Sequence, residues 1–90
     1  MDKIEKIFNI LQSELSHNLS GILLFNDADT IRWELDGIHY GNSREDLEDL
    51  ATDDISLIKE VLFENDLDNS VEISNIEFDD TYVYFNIEEL

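Results

Sequence analysis

Apolar side chains at Ile4, Ile7, Phe8, Leu11 and Leu15 recur at the spacing of one helix face. That predicts an amphipathic helix from residue 2 or 3 to about residue 16, with Asp2 as its N-cap. The stretch SGILLFN that follows is a short apolar run bounded by turn residues, consistent with a buried strand. After the turn DAD, Ile31, Trp33 and Leu35 alternate with Thr30, Arg32 and Glu34, the period of a half-buried strand. Asp36-Gly37 is a hairpin signal, because a type I′ turn needs positive φ at both central positions. IHY would then return as the third strand of a meander.

The pattern changes at Ser43, which with Asp46 resembles a capping box. At about 100° per residue, Glu45, Asp46, Glu48, Asp49 and Asp53 share one arc and Leu47, Leu50 and Ala51 the opposite one. Asp54 would fall in the middle of the apolar arc if this helix ran on. A break near Thr52 avoids that conflict, with Thr52 capping a second helix and Asp53 and Asp54 at its positive end. Ile55, Ile58, Val61 and Leu62 carry its apolar stripe to about Glu64.

Beyond the loop NDLDN, Val71 and Ile73 have one parity and Ile76 and Phe78 the other; a bulge near Ser74-Asn75 restores all four to one face. In TYVYFNI, Val83, Phe85 and Ile87 take the core side, leaving Tyr82 and Tyr84 outward beside Glu77. The order is α-β-β-β-α-α-β-β: a single small α+β domain spanning residues 1–90, with an antiparallel sheet packed on helices.

Ninety residues allow one modest core. Hydrophobic content of 42% with nine aromatic residues supplies it. With no cysteine there is neither a disulfide framework nor a thiolate metal site. The charged N-terminal helix suits neither a secretory signal nor a membrane span, so the expected location is the cytoplasm, a host cell's if the gene is viral.

Charge alters this picture most. The chain carries 23 acids against 5 bases, a net charge of −18. Residues 1–44 hold seven acids and four bases, whereas residues 45–90 hold sixteen acids and one base, Lys59. Such a surface repels nucleic acid and anionic membranes and attracts cationic partners.

Catalytic chemistry is sparse. His17 stands near a helix C-terminus, where its charged form is favourable, and His39 beside a hairpin, and both read as ordinary histidines rather than a ligand or general base. No nucleophile elbow, Gly-rich phosphate loop or zinc spacing is present, so no catalytic residue and no cofactor is assigned, and the chain is read as a non-enzyme. Residues 66–77, DLDNSVEISNIE, place Asp66, Asp68, Ser70, Glu72, Ser74 and Glu77 at the ligand positions of an EF-hand calcium loop. Val71 replaces the required Gly, and a strand replaces the following helix. Calcium binding through 66–77 is kept as an alternative.

The expected partner-binding residues are Glu45, Asp46, Glu48, Asp49, Asp53, Asp54, Glu64, Asp66, Asp68, Glu72, Glu77, Asp79 and Asp80, with Tyr82 and Tyr84 as flat anchors. Acids on one strand face repeat every ~6.6 Å and helix neighbours lie about 5–6 Å apart. These spacings are comparable to those of phosphates along a nucleic-acid strand. Small size, absence of cysteine, strong acidity and a helix–meander–helix opening resemble the compact phage-encoded inhibitors that imitate DNA, notably anti-CRISPR proteins acting on Cas9. The resemblance implies competition for the site that reads the protospacer-adjacent motif, with a Cas9–guide RNA complex as partner. An immunity or antitoxin protein holding a basic nuclease toxin is the alternative from another class.

Overall fold

The computed structural model describes residues 3–27, 29–37, 43–80 and 82–90. Helix α1 (Lys3–Leu15) leads to strands β1 (Ile22–Asp27) and β2 (Thr30–Asp36); helix α2 (Arg44–Glu64) follows, then β3 (Val71–Ile73), β4 (Glu77–Asp79) and β5 (Tyr82–Glu89). The antiparallel sheet has the order β1-β2-β5-β3, with β4 also on β5. The α+β class, its single core and the helix–strand–helix–strand order all follow the sequence reading. Both helices lie on one face of the sheet, α1 against β1, β2 and β5, and α2 against α1 and β5.

Periodicity explains the layers. Ile4, Ile7, Leu11 and Leu15 form the buried stripe of α1. Ile31, Trp33 and Leu35 of β2 and Val83, Phe85 and Ile87 of β5 are buried beneath the helices. At the centre, Trp33 stacks on its cross-strand neighbour Phe85, ring centroids 4.8 Å apart.

The bulge inferred from parity is present. Ile73 pairs with Ile87 but Glu77 pairs with Tyr84, a slip of one residue across 74–76. There the Ser74 hydroxyl accepts the Asn86 N–H at 2.8 Å while the Ser74 N–H donates to the Asn86 carbonyl at 2.8 Å. A side chain thus substitutes for the ladder carbonyl, and Val71, Ile73, Ile76 and Phe78 all pack on the core.

Two expectations need correction. Helix α2 does not break at Thr52. Thr52 donates its hydroxyl to the Glu48 carbonyl and Ser56 to the Thr52 carbonyl, so these side chains bond back into a continuous helix rather than capping a new one. Ser43 caps its start, accepting the Asp46 N–H at 3.2 Å. Nor does Asp36 begin a type I′ turn. It belongs to β2, paired with Tyr82, and its φ is not positive; Gly37 is helical. The longer pairing of β2 with β5 prevails over the local signal. The Asp2 cap, the strand expected over 38–40 and His39 lie outside the described residues.

The end of α2 is a Schellman motif: Leu67 N–H donates to the Leu62 carbonyl and Asp66 N–H to the Phe63 carbonyl, with Asp66 left-handed at φ 58°. Glycine adopts that conformation without the Cβ penalty. Asp66→Gly is therefore expected to stabilise the protein by about 1 kcal/mol, raising the thermal midpoint by about 4–8 °C. Circular dichroism melting checks it; an unchanged or lower midpoint would mean that the carboxylate compensates for the strain. Among the described residues no helix is long and apolar enough to cross a membrane.

Candidate partner-binding surface

Helix α2 organises the acids of 45–64. Over its 21 residues Leu47, Ala51, Asp54, Ile58, Val61 and Leu62 are buried, while Glu45, Asp46, Glu48, Asp49, Asp53, Glu60 and Glu64 are exposed. At ~100° per residue those seven acids fall within about 160° of arc, along a helix about 31 Å long. That is one carboxylate per ~4.5 Å, against ~3.4 Å per phosphate on one DNA strand. Lys59 is the cation on the same side. None of the seven forms an ion pair with a described residue; the ion pair seen is Arg32–Glu34 at 3.1 Å, on the sheet.

The sheet's other face, away from the helices, carries a second group. Glu72 stands opposite Glu88, Glu77 opposite Tyr84 and Asp79 opposite Tyr82. Tyr82 is 39% exposed. Tyr84 is half-buried, with the Arg32 guanidinium 4.0 Å from its ring centroid; its ring face serves cross-strand packing, and Tyr82 is the more available anchor. Asp80 occupies the hairpin tip with φ 53°. Exposed Asp66 and Asp68 lie in the link from α2 to β3.

The residues expected to form one surface therefore divide between two. Glu45, Asp46, Glu48, Asp49, Asp53 and Glu64 lie on the helical side, and Glu72, Glu77, Asp79, Tyr82 and Tyr84 on the open sheet face. Glu60 and Glu88 join these groups; periodicity would have found Glu60, seven residues beyond Asp53, and strand parity Glu88, in step with Tyr82 and Tyr84.

Asp54 belongs to neither. It is 1% exposed, and its carboxylate accepts the Trp33 indole N–H at 2.8 Å, the Gly21 N–H at 2.9 Å and the Ser20 N–H at 3.1 Å. The conflict anticipated in the sequence is real but resolved differently. The helix runs on, and the buried carboxylate is satisfied by three donors from another part of the chain. It is a structural tie, withdrawn from the partner-binding set.

Residues 66–77 do not form a closed ligand loop. They run through the helix cap, a turn and β3, where Glu72 points to the open face. Among the described residues no group of three or more His, Cys, Asp or Glu is placed to hold a metal ion. A groove of about 600 Å³ between α2 and β3 is lined mainly by Ile55, Leu62, Phe63, Val71, Ile73 and Ile76, with Lys59 and Asp68 as its charged members.

The chain matches no family model, no curated protein and no solved structure. Its surfaces alone therefore carry the functional reading. What distinguishes them is arrangement at a cost. Glu45/Asp49 and Asp49/Asp53 are like-charged i,i+4 pairs, each unfavourable by about 0.2–0.5 kcal/mol. Glu64 lies at the negative end of the helix dipole, and Glu72 directly faces Glu88. Only Glu45 and Asp46, in the first turn of α2, gain locally, from the positive end of the helix dipole.

Proposed function

We propose that this protein is a DNA-mimicking inhibitor that occupies a cationic nucleic-acid-binding site, acting as an anti-CRISPR protein that blocks target-DNA binding by a CRISPR nuclease. The observation that carries the reading is the outer face of α2: Glu45, Asp46, Glu48, Asp49, Asp53, Glu60 and Glu64 on one rigid helix, without ion pairs to described residues. Carboxylates at that spacing complement a row of Arg and Lys that otherwise grips phosphates. Helix geometry fixes the backbone that carries the charges, so the ordering cost of binding is confined to the side chains. The one-signed field accelerates encounter with a basic target. Inhibition is steric and electrostatic, without chemistry, and takes place in the host cytoplasm. The open sheet face, with Glu72, Glu77, Asp79 and Tyr82, is the secondary contact for a target that wraps the domain.

The test is target-DNA binding by a Cas9–guide RNA complex, with and without the protein, across salt concentrations. DNA binding is expected to be lost when the inhibitor is bound, and inhibitor affinity to fall as salt rises. Reversing Glu45, Asp46, Glu48 and Asp49 to Lys is expected to weaken inhibition by about 10–100-fold, four exposed contacts at roughly 0.5 kcal/mol or more each. Inhibition untouched by salt or by the reversal would overturn the reading. If the Cas9 complex is unaffected but a basic nuclease toxin is neutralised with the same salt and charge dependence, the immunity-protein alternative holds instead.

A further inference from the structure

We infer that β1 is the seam of a two-fold homodimer, formed by antiparallel pairing of β1 with the same strand of a second copy. Strand β1 ends the sheet order β1-β2-β5-β3, and among the described residues no strand pairs with its outer side. An exposed edge is a template for pairing, and single-chain proteins blunt it with Lys, Pro, inward charges or bulges; β1 has a register shift only at its end, between Phe25 and Asp27, which leaves Ile22–Phe25 regular. Here the edge is ILLFND, with its one charge at the last position. Ile22 is 57% exposed, Leu24 40% and Phe25 42%.

Ile22 and Leu24 share the open face of the sheet. Phe25 lies on the helix side, edge-on to Phe8 of α1 at 5.7 Å. A two-fold axis through β1 would join the Ile22 and Leu24 of both copies on one face and bring the two Phe8–Phe25 corners together on the other. The pairing is self-complementary, as a two-fold interface requires.

Charge identifies the occupant. A basic partner is drawn to the acids on α2 and near β3, not to a strand with so little charge. Another copy, at −18, is repelled everywhere except where acids are few. Residues 1–36, which supply α1, β1 and β2, hold seven acids and three bases, so the β1 end carries only a small share of the negative charge. Pairing there leaves the two β3 strands at the far edges of an eight-strand order, about 33 Å apart over seven spacings of ~4.7 Å. That is several times the ~8 Å screening length at physiological salt. The regular part of the seam, Ile22–Phe25, is about 14 Å long, four residues at ~3.4 Å, so the interface lies at the small end of the range and association in the micromolar range is expected.

This inference does not depend on the inhibitor reading. Sedimentation equilibrium from low micromolar to submillimolar protein is expected to show the mass rising from 10.5 kDa toward twice that value. Salt is expected to strengthen the dimer by screening residual repulsion, opposite in sign to its effect on a cationic target. Leu24→Lys and, separately, Ile22→Lys place like charges across the axis and are expected to raise the dimer Kd at least about tenfold. A monomer throughout the range, or parental dimerisation by both folded variants, overturns the proposal. Hydrogen exchange on the unmodified protein needs no variant: concentration-dependent protection is expected in β1, and protection confined to β3 or α2 would overturn the seam.

Discussion

Replacing Asp54 with Leu is expected to destabilise the protein by about 4 kcal/mol, although Leu is apolar and the position is 1% exposed. The carboxylate accepts three N–H donors, from Ser20, Gly21 and the Trp33 indole. Two of these are backbone groups that no side-chain substitution can remove. Leu strands them, and an orphaned buried donor costs about 1–3 kcal/mol. Apolar burial by the new side chain offsets only part of that. A 90-residue domain has roughly 5–13 kcal/mol in total, so the loss removes about 30% of the stability or more. Asp54→Asn retains one acceptor oxygen but turns an amide toward donors; about half the loss is expected, roughly 2 kcal/mol. Urea titration monitored by Trp33 fluorescence measures both. A loss below about 1 kcal/mol for the Leu variant would mean that the tie contributes little beyond filling space.

The second large effect is expected at Gly21. A Cβ there would lie 2.3 Å from Trp33 Cε2 and 2.5 Å from both Cζ2 and Nε1. The obstruction is a ring with no retreat, stacked on Phe85 at 4.8 Å and bonded through Nε1 to Asp54. Gly21→Ala must shift the backbone or the indole, and either move disturbs bonds to Asp54. Overpacking costs about 1–3 kcal/mol and a lost bond to a charged group about 1.5–3 kcal/mol more, so about 3–4 kcal/mol is expected. Because the two substitutions damage one cluster, the double variant should lose clearly less than the sum of the singles. Additive losses would show that Gly21 and Asp54 act independently.

This cluster shows where reading residues in order succeeds and where it stops. The amphipathic arc of α2 was legible because each helical position occurs every ~100°, whatever lies opposite. Asp54 was legible only as an anomaly. The remedy suggested by local rules, a break capped by Thr52, is reasonable when a carboxylate has no visible partner. Its partners lie more than twenty residues away, at Ser20, Gly21 and Trp33, and no local spacing announces them. The bulge at 74–76 was legible because four apolar side chains on two parities require one extra residue. The turn at Asp36-Gly37 misled because hairpin propensity is weak beside the seven-residue register of β2 with β5.

The candidate surface divides in the same way. Acid count, their concentration after residue 44 and the outward position of Tyr82 and Tyr84 were determined by the sequence itself, since charge and strand parity are local properties. Strand parity already turned Glu77 outward beside Tyr82 and Tyr84; that Glu72 and Asp79 join it on one paired face, separate from the acids of α2, was decided by the tertiary pairing of β3 and β4 with β5. Which face of a sheet receives the helices depends on the summed burial of Trp33, Phe85 and their neighbours, not on the acids. The same packing left β1 at one edge and the acidic β3 and β4 beside β5 toward the other. Strand order in space is set by pairings between distant segments, whose free energy no window along the chain contains.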